Sequence, residues 1–327
     1  MYWVRLFLQL LRLKVASMLY LFALLGILST LQKPILTALD IIVLVVSLSA
    51  WYVNATSIND IADKDIDEIN LKKARGRPLI SKTASLRQMY CINAVAGCIA
   101  LAGAMVFGAI AAGVMFVCIV LNYAYSLPPI RISYRAYIAP LLLPLGYVAL
   151  PFLLGVYATN ARVSHTSLAL LISVYTAFIG RIILKDIRDI KGDSKYGKRT
   201  FTVRHGKKAT CYVSIGFWTL GLVTLLIGQS FTIIQAIAIL FLFALIVYCV
   251  YLVTTTNKHD TEQLYIGLAA RCANGLIVLL CTYLLLHIYN YPPSQLSLTM
   301  AVLSILYGYA TLLGVQNLHT LTNDYRG

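Results

Sequence analysis

The sequence is poor in charged residues, and acidic residues are the scarcest of them. Only 12 of its 327 residues are Asp or Glu, against 27 Lys or Arg, and charged residues make up 12% of the chain. Hydrophobic residues make up 60%, and the mean hydropathy is +0.79. So little charge excludes a soluble globular protein and indicates a polytopic membrane protein. The net charge of +15 is then explained by basic loops between apolar segments, and not by binding to nucleic acid.

Several common chemistries lack the residues that they need. The five histidines do not cluster, and the sequence has no HExxH pattern and no Ser or Cys nucleophile with a histidine partner. The seven cysteines are odd in number and lack metal-ligand spacing, which is typical of free, buried thiols. No glycine-rich run that could hold phosphate precedes a helix. The sequence therefore supports neither a zinc hydrolase nor a P-loop enzyme.

Long apolar stretches dominate the chain instead. Stretches of about 17 to 25 residues can cross a hydrocarbon core as helices. Ten such stretches are present, at roughly 15–32, 38–58, 88–107, 109–127, 137–158, 165–184, 211–229, 231–254, 265–288 and 297–316. The chain is therefore predicted to be an all-α, polytopic transmembrane bundle that forms a single domain over residues 1–327, with no separate soluble domain.

The positions of the basic residues predict how the bundle is oriented. If the N-terminus, the even-to-odd loops and the C-terminus share one side, that side holds 25 of the 27 Lys and Arg residues. By the positive-inside rule this side is cytoplasmic. Arg5, Arg12 and Lys14 precede the first apolar segment without a convincing cleavage site, which favours a retained first span. We therefore expect a multi-pass protein of the plasma or inner membrane.

The few acidic residues are concentrated in two runs, which follow the second and sixth spans and hold eight of the 12 acids. Each run has an i, i+3, i+7 triad, which places three carboxylates on one helix face. The triads are Asp60, Asp63 and Asp67, and Asp186, Asp189 and Asp193. A single acidic helix end is ordinarily a solvated cap. Two on the same side favour one cavity in which magnesium ions bridge carboxylates and a diphosphate.

Basic residues beside the acids and a tyrosine segment are further candidates for the site. Lys and Arg bind phosphate oxygens that a metal leaves free, although basic loop residues also set topology or contact lipid headgroups. The segment from Asn122 to Arg131 ends the fourth span on the same side, where Pro128 and Pro129 stop the helix. Tyr125 in the last turn is predicted to face the cavity, although tyrosines are also common at membrane interfaces.

These three segments together resemble the UbiA superfamily of intramembrane prenyltransferases. The matching motifs are Asn59-Asp60-x-x-Asp63-x-x-x-Asp67 with Arg77-Pro78-Leu79, then Tyr125-Ser126-Leu127-Pro128-Pro129-Ile130-Arg131, and Lys185-Asp186-Ile187-x-Asp189-x-x-Gly192-Asp193 with Gly197-Lys198-Arg199-Thr200. The match extends over residues 10–290. One departure is Lys82, since a glycine commonly follows the Arg-Pro-Leu segment.

The resemblance implies a nine-span helical bundle round a central cavity, capped on the cytoplasmic side by two aspartate-rich loops. The span at 297–316 would be an extra, tenth one. It also implies magnesium-dependent transfer of a prenyl chain from its diphosphate to a lipophilic or aromatic acceptor. The second motif is similar to that of members acting on glycerol-phosphate lipids, homogentisate or chlorophyllide. The acceptor, the donor chain length and the oligomeric state stay open.

We therefore expect two magnesium ions, one at each aspartate triad, and a diphosphate between them. Tyr125 would offer its ring to an allylic cation. The residues expected to contact the diphosphate are Asn59, Lys72, Arg77, Arg131, Lys185 and Lys198. The alternative is a transporter or binder of a polyanionic lipid or metabolite that makes no bond. Transporters more often place ionisable groups near the membrane midplane, whereas these groups lie at one face.

Overall fold

The computed structural model describes residues 2–31, 36–70 and 77–316 of the chain, and most of them are helical. The helices are α1 (Tyr2–Leu11), α2 (Leu13–Leu28), α3 (Ala38–Ala62), α4 (Lys64–Asn70), α5 (Leu86–Val106), α6 (Ala109–Ser126), α7 (Ile138–Pro144), α8 (Leu150–Ala158), α9 (His165–Ile183), α10 (Asp186–Lys195), α11 (Phe201–Gly228), α12 (Ile233–Thr255), α13 (His259–Ile288) and α14 (Pro293–Gln316). Two short strands, β1 (Arg135–Ala136) and β2 (Arg199–Thr200), pair in parallel.

The described residues contain nine helical segments that are long and apolar enough to cross a membrane. Helices α1 and α2 are bent by 69° relative to each other and would together make a tenth. These findings confirm the predicted all-α transmembrane bundle. The last span, α14, packs against α12 and α13. The predicted turn between the first two spans, at Lys33 and Pro34, lies outside the described residues.

The N-terminal segment differs from the expectation of one span at 15–32. Helix α1 buries one face, including Leu6, Leu10 and Leu11. Arg12 then adopts a left-handed backbone with φ 44°, which interrupts the helical hydrogen-bond ladder and allows the bend. Helix α1 packs against α3, and α2, which ends at Leu28, packs mainly against α8 and α13.

The fifth span is broken, although the sequence predicts one helix at 137–158. Helix α7 ends at Pro144, a π-helical turn covers Leu145–Ala149, and α8 continues the span. Pro144 and Pro151 have no N–H to donate, so the regular ladder cannot pass through them unchanged. Gly146 in the π turn lies against the Trp51 ring, where an added Cβ would come within 2.4 Å of Trp51 Cζ2.

Small residues let α2 and α8 approach closely. An added Cβ at Gly26 would lie 2.0 Å from the Phe152 carbonyl oxygen, and one at Gly155 would lie 2.1 Å from the Ala23 carbonyl oxygen. Such contacts are typical of helix pairs in membranes, where close backbone packing stabilises association. The N-terminal α2 is thereby fixed against the second half of the broken span, beside the central cavity.

Buried polar side chains join α3, α5 and α6 in the membrane-spanning region. Asn93 Nδ2 donates to the Asn54 carbonyl oxygen at 2.8 Å, and Asn122 Nδ2 donates to Asn54 Oδ1 at 3.0 Å. Asn93 Nδ2 also donates to Ser57 Oγ at 3.0 Å. Away from water these groups need partners. The bonds set the position of α3 relative to α6, and these helices carry the first aspartates and Tyr125.

Both aspartate runs are at the same end of the bundle, where α3 and α9 terminate; we call it the aspartate end. The expectation of one continuous helical triad is wrong for the first run. Helix α3 ends at Ala62. The next residue, Asp63, has φ −102° and ψ 15°, which depart from helical values, and α4 starts at Lys64. The second run forms the single helix α10, which packs against α4.

Candidate active site

A cavity of about 840 Å³ opens at the aspartate end and extends between the helices. Its mouth is lined by charged side chains, and its interior by aromatic and aliphatic ones. The charged residues of the mouth are Arg12, Asp63, Asp67, Arg77, Lys185, Asp186, Arg188, Asp189, Asp193 and Lys198. The structure therefore brings five of the six predicted aspartates of the two runs to one cavity.

Asp60 is the exception, because two arginines separate it from the cavity. Arg12 Nη2 donates to Asp60 Oδ1 at 2.9 Å and to Oδ2 at 2.7 Å. Arg77 Nη1 also donates to Asp60 Oδ1. Asp60 itself is only 2% exposed. Its carboxylate thus fixes two guanidinium groups that do line the cavity, whereas Asp60 is not among the lining residues. Its role as a metal ligand stays a prediction.

Lys198 connects the two aspartate runs. Its Nζ lies 3.3 Å from Asp63 Oδ2 and 3.5 Å from Asp193 Oδ1. Asn59 Nδ2 donates to the same Asp63 oxygen at 3.1 Å. Although burial opposes it, the two carboxylates raise the pKa of Lys198 above its usual range. Lys198 therefore stays charged and holds the runs together.

The remaining aspartates experience different electrostatic surroundings. Burial raises the pKa of Asp67 to about 7, and the Arg77 guanidinium, 3.1 Å from Asp67 Oδ2, opposes this shift. Burial likewise raises the pKa of Asp193 to about 7 against the effect of Lys198. Asp189 is half-buried, which raises its pKa, but Arg188, whose Nε donates to Asp189 Oδ1 at 2.9 Å, outweighs this effect and lowers the pKa of Asp189. A further cation at this site would stabilise the ionised forms of Asp67 and Asp193.

The buried carboxylate oxygens suit a divalent metal ion. Within residues 2–31, 36–70 and 77–316, Asp63 Oδ1, Asp67 Oδ2 and both Asp193 oxygens are buried and accept no hydrogen bond. Carboxylate oxygens of this kind are the ligands that Mg²⁺ prefers. In the same part of the chain, no group of three or more His, Cys, Asp or Glu side chains is arranged so that it could hold a metal ion. Instead, Lys and Arg side chains pair with these carboxylates. The carboxylates are therefore suitable ligands for magnesium, but in the structure their partners are the cations of the protein.

The other predicted site residues fall into two groups. Asn59, Arg77, Tyr125, Lys185 and Lys198 all line the cavity. Arg131 does not: its Nη2 donates to the Ala62 carbonyl oxygen at 3.3 Å, and its guanidinium lies 4.1 Å from the centre of the Tyr134 ring.

Arg131 thus holds the last turn of α3, directly before Asp63. Lys72 lies outside the described residues.

Aromatic rings line the inner cavity. The rings of Tyr147 and Phe178 stack, with centroids 5.9 Å apart, and Trp51 and Tyr52 meet Tyr147 edge-on, each at 5.9 Å. Such faces tolerate a cation, at about 0.5 to 2 kcal/mol each. A polar mouth and an apolar interior together suit a molecule with a charged head and a hydrocarbon tail.

Sequence reasoning missed three arginines that line the cavity, Arg12, Arg181 and Arg188. Arg12 was interpreted as a topological residue before the first span, and only the bend at its own position brings it to Asp60. Arg188 and Arg181 stand in and just before the second aspartate run. Their position in the sequence could have indicated that they line the cavity, because Arg188 lies within the run and Arg181 lies one helical turn before Lys185.

These features define the chain as an intramembrane helical bundle with a carboxylate-lined cavity that opens at one membrane face. The model of the UbiA prenyltransferase family matches residues 17–275. Since this match covers most of the sequence, the chain belongs to the UbiA prenyltransferase family, which confirms the resemblance found in the motifs.

Individual relatives are more distant. The bacteriochlorophyll synthase 34 kDa chain of Chloroflexus aurantiacus is 30% identical over 150 residues, which are 46% of this chain and 47% of that protein. The chain thus spans about half the length of this curated relative.

Solved structures share the fold over nearly the whole chain. A digeranylgeranylglyceryl phosphate synthase structure matches with a TM-score of 0.65 and 21% identity, over 88% of this chain and all of that one. A UbiA homologue from Archaeoglobus fulgidus, bound to DMAPP and Mg²⁺, matches with a TM-score of 0.58 and 16% identity, over 95% of this chain and 99% of the other. At these identities the likeness shows the fold.

Proposed function

We propose that the chain is an integral membrane prenyltransferase that moves an isoprenoid chain from a prenyl diphosphate to a lipophilic or aromatic acceptor. The observation that carries the proposal is the meeting of both aspartate runs across one cavity mouth, joined by Lys198. Behind that mouth lies an apolar, aromatic interior. Membership of the UbiA prenyltransferase family supports the same reaction class.

The mouth supplies the groups that a diphosphate needs. Asp63, Asp67, Asp186, Asp189 and Asp193 would hold two magnesium ions. When bound, these ions neutralise the diphosphate oxygens and make the group a better leaving group. Arg77, Lys185 and Lys198, with the amide of Asn59, would bind the oxygens that remain. Asp60 keeps Arg12 and Arg77 in position from behind the cavity wall.

The interior supplies the groups that the prenyl chain needs. When the C–O bond of the donor breaks, its electron pair leaves with the diphosphate and the allylic carbon becomes cationic. Tyr125 and the stacked rings of Tyr147 and Phe178 offer π faces to this charge. Burial in the bilayer excludes water that would otherwise quench the cation. The acceptor then attacks the carbon and loses a proton.

The sidedness and domain structure are part of the proposal. The basic loops favour a multi-pass protein with the aspartate end and the N-terminus facing the cytoplasm. A single transmembrane domain would carry the whole site.

Diphosphate release tests the proposed function. Purified protein in lipid nanodiscs, with prenyl diphosphates of graded length, Mg²⁺ and a panel of acceptors, should release diphosphate and form a product heavier by the prenyl group. A transporter or a simple binder of polyanions would release none. Absence of release with every donor and acceptor would contradict the proposal.

A further inference from the structure

Arg181 occupies a second, deeper polar position in the cavity. It lies in α9, four residues before Lys185, and lines the cavity. Four helical residues correspond to about 6 Å along the axis. Arg181 is therefore further from the aspartate end than the charged mouth is, and its guanidinium lies 5.9 Å from the centre of the Phe178 ring.

The surroundings of Arg181 differ from those of four of the five cations at the mouth. Arg12, Arg77, Arg188 and Lys198 each form an ion pair with an aspartate. Arg181 Nη1 instead donates to the neutral Asn274 Oδ1 at 2.6 Å. In the described part of the chain it forms no ion pair with Asp or Glu. A charged side chain inside a membrane domain is costly and ordinarily has a charged partner or a function.

A small apolar pocket adjoins Arg181. Its volume is about 30 Å³, and Arg181 lines both this pocket and the large cavity. The other residues of the pocket are hydrophobic, among them Phe22, Trp218, Leu276 and Leu280. A volume of this size holds only about one water molecule, so the body of a ligand bound at Arg181 would lie in the large cavity, which Phe178 also lines. One fixed guanidinium beside apolar walls suits an acid that carries a hydrophobic body.

We propose that Arg181, held by Asn274, binds an anionic group of the acceptor, either a carboxylate or a phosphate. This inference rests on the proposed prenyl transfer, because the mouth already provides for the donor diphosphate. An Arg fork forms two parallel hydrogen bonds with either group. The acceptor would then lie with its acid at Arg181 and its apolar body beside Phe178.

Binding of matched acid and neutral probes tests this assignment without relying on turnover. The probes are homogentisate with its methyl ester, and dodecylglycerol phosphate with dodecylglycerol, each titrated into the full-length protein in nanodiscs. The wild-type protein should bind at least one acid more tightly than its neutral partner. The pair that shows the difference identifies a carboxylate or a phosphate as the preferred group. Equal binding within both pairs would overturn the proposal.

Two variants assign the preference to Arg181. Arg181→Met keeps the length of the side chain and should weaken binding of the preferred acid about 10- to 100-fold, the usual effect of losing a charge-assisted bond. Binding of the neutral partner and of the prenyl diphosphate should not change. Asn274→Asp supplies Arg181 with an internal carboxylate and should also weaken the acid selectively. Arg162→Met, at an exposed position outside the cavity, is the matched control.

The outcomes separate this proposal from the proposed function. An unchanged acid preference in both Arg181→Met and Asn274→Asp would overturn the acceptor site, while diphosphate release by the wild type would still support prenyl transfer. Loss of donor binding in Arg181→Met would assign Arg181 to the diphosphate and also overturn the acceptor site. If Arg181→Met fails to fold by thermal melting, Arg181→Lys and Asn274→Asp carry the test.

Discussion

Lys198 Nζ lies 3.3 Å from Asp63 Oδ2, although 135 residues separate them in the sequence. The pair joins the end of the second predicted span to the loop that follows the sixth. The first run therefore has its counter-charges on arginines and on Lys198 of the second run's segment, whereas the second run pairs with Arg188 and Lys198 of its own segment. Two of the cations that join the carboxylates at the cavity mouth, Arg77 and Lys198, are also cations that we propose for the diphosphate.

Replacing Lys198 should affect both stability and turnover. Lys198→Met leaves Asp63 and Asp193 buried without their shared cation, which we expect to lower the melting temperature in the absence of metal. It also removes a proposed phosphate ligand, so turnover should fall at least about 100-fold. Melting curves and steady-state assays measure the two effects. Arg199→Met, at the exposed neighbouring position, is the control and should behave like the wild type. A fully active Lys198→Met protein would remove Lys198 from the site.

Asp63 and Asp65 form a matched pair for testing the first aspartate run. Asp63 is 6% exposed and lines the cavity, whereas Asp65, two residues later, is exposed. Asp63→Asn should lower turnover by about 100-fold or more, because a proposed metal ligand and a charge are lost while the shape is kept. Asp65→Asn should change turnover less than about twofold. Equal effects of the two substitutions on steady-state kcat would contradict the assignment.

Metal dependence should be visible both in turnover and in stability. Excess EDTA should abolish diphosphate release, and added Mg²⁺ should restore it, because the buried carboxylates would otherwise face a polyanion. Mg²⁺ should also raise the melting temperature of the wild-type protein, since a ligand that binds only the folded state stabilises it. This shift should be smaller in Asp63→Asn. Full turnover in EDTA would refute the magnesium proposal.

The sidedness of the aspartate end can be tested with single cysteines. Ser81→Cys and Ser194→Cys are exposed positions on the two polar connections at this end, and Ser230→Cys lies in the loop between α11 and α12. In a background lacking the seven native cysteines, an impermeant thiol reagent applied to intact cells should label only Ser230→Cys. Opening the membrane should then expose the other two positions.

The chain terminus gives an independent count of spans. Thr322→Cys lies beyond the described residues, and ten spans predict that it is protected in intact cells as Ser81→Cys is. Labelling of Thr322→Cys alone would mean that the C-terminal segment ends on the opposite side. Labelling at 81 or 194 would place the aspartates on the outer face.

The sequence was sufficient to predict most of the spans and the location of both aspartate runs at one end of the bundle. The spans follow from the long apolar stretches, and the shared end follows because both runs come after even-numbered spans. It could not predict the broken fifth span in detail, since Pro144 and Pro151 can end a helix, kink it or pass within it, and packing of Gly146 against Trp51 decides among these. At Lys82 the structure shows a left-handed backbone with φ 55°, which explains why a glycine suits this position.

The sequence also could not predict which residues of distant segments form ion pairs. Nothing in the local pattern distinguishes Arg12, which pairs with Asp60, from Arg5, because the pairing depends on the bend between α1 and α2. For the same reason the i, i+3, i+7 spacing predicted three carboxylates on one helix face, whereas α3 ends at Ala62, before Asp63, and Asp60 binds arginines. Tertiary contacts decide which carboxylate meets the cavity.

The parallel pairing of β1 with β2 has a consequence for the order in which the protein is assembled. Arg135 pairs with Arg199, and Ala136 with Thr200. The intervening chain contains the fifth and sixth spans and α10, so these strands can meet only after both spans have been synthesised and inserted. The cavity mouth therefore cannot be completed before residue 200 has been synthesised, at a point where α11 to α14 are still to follow. Its completion depends on a contact between segments that lie on either side of two inserted spans.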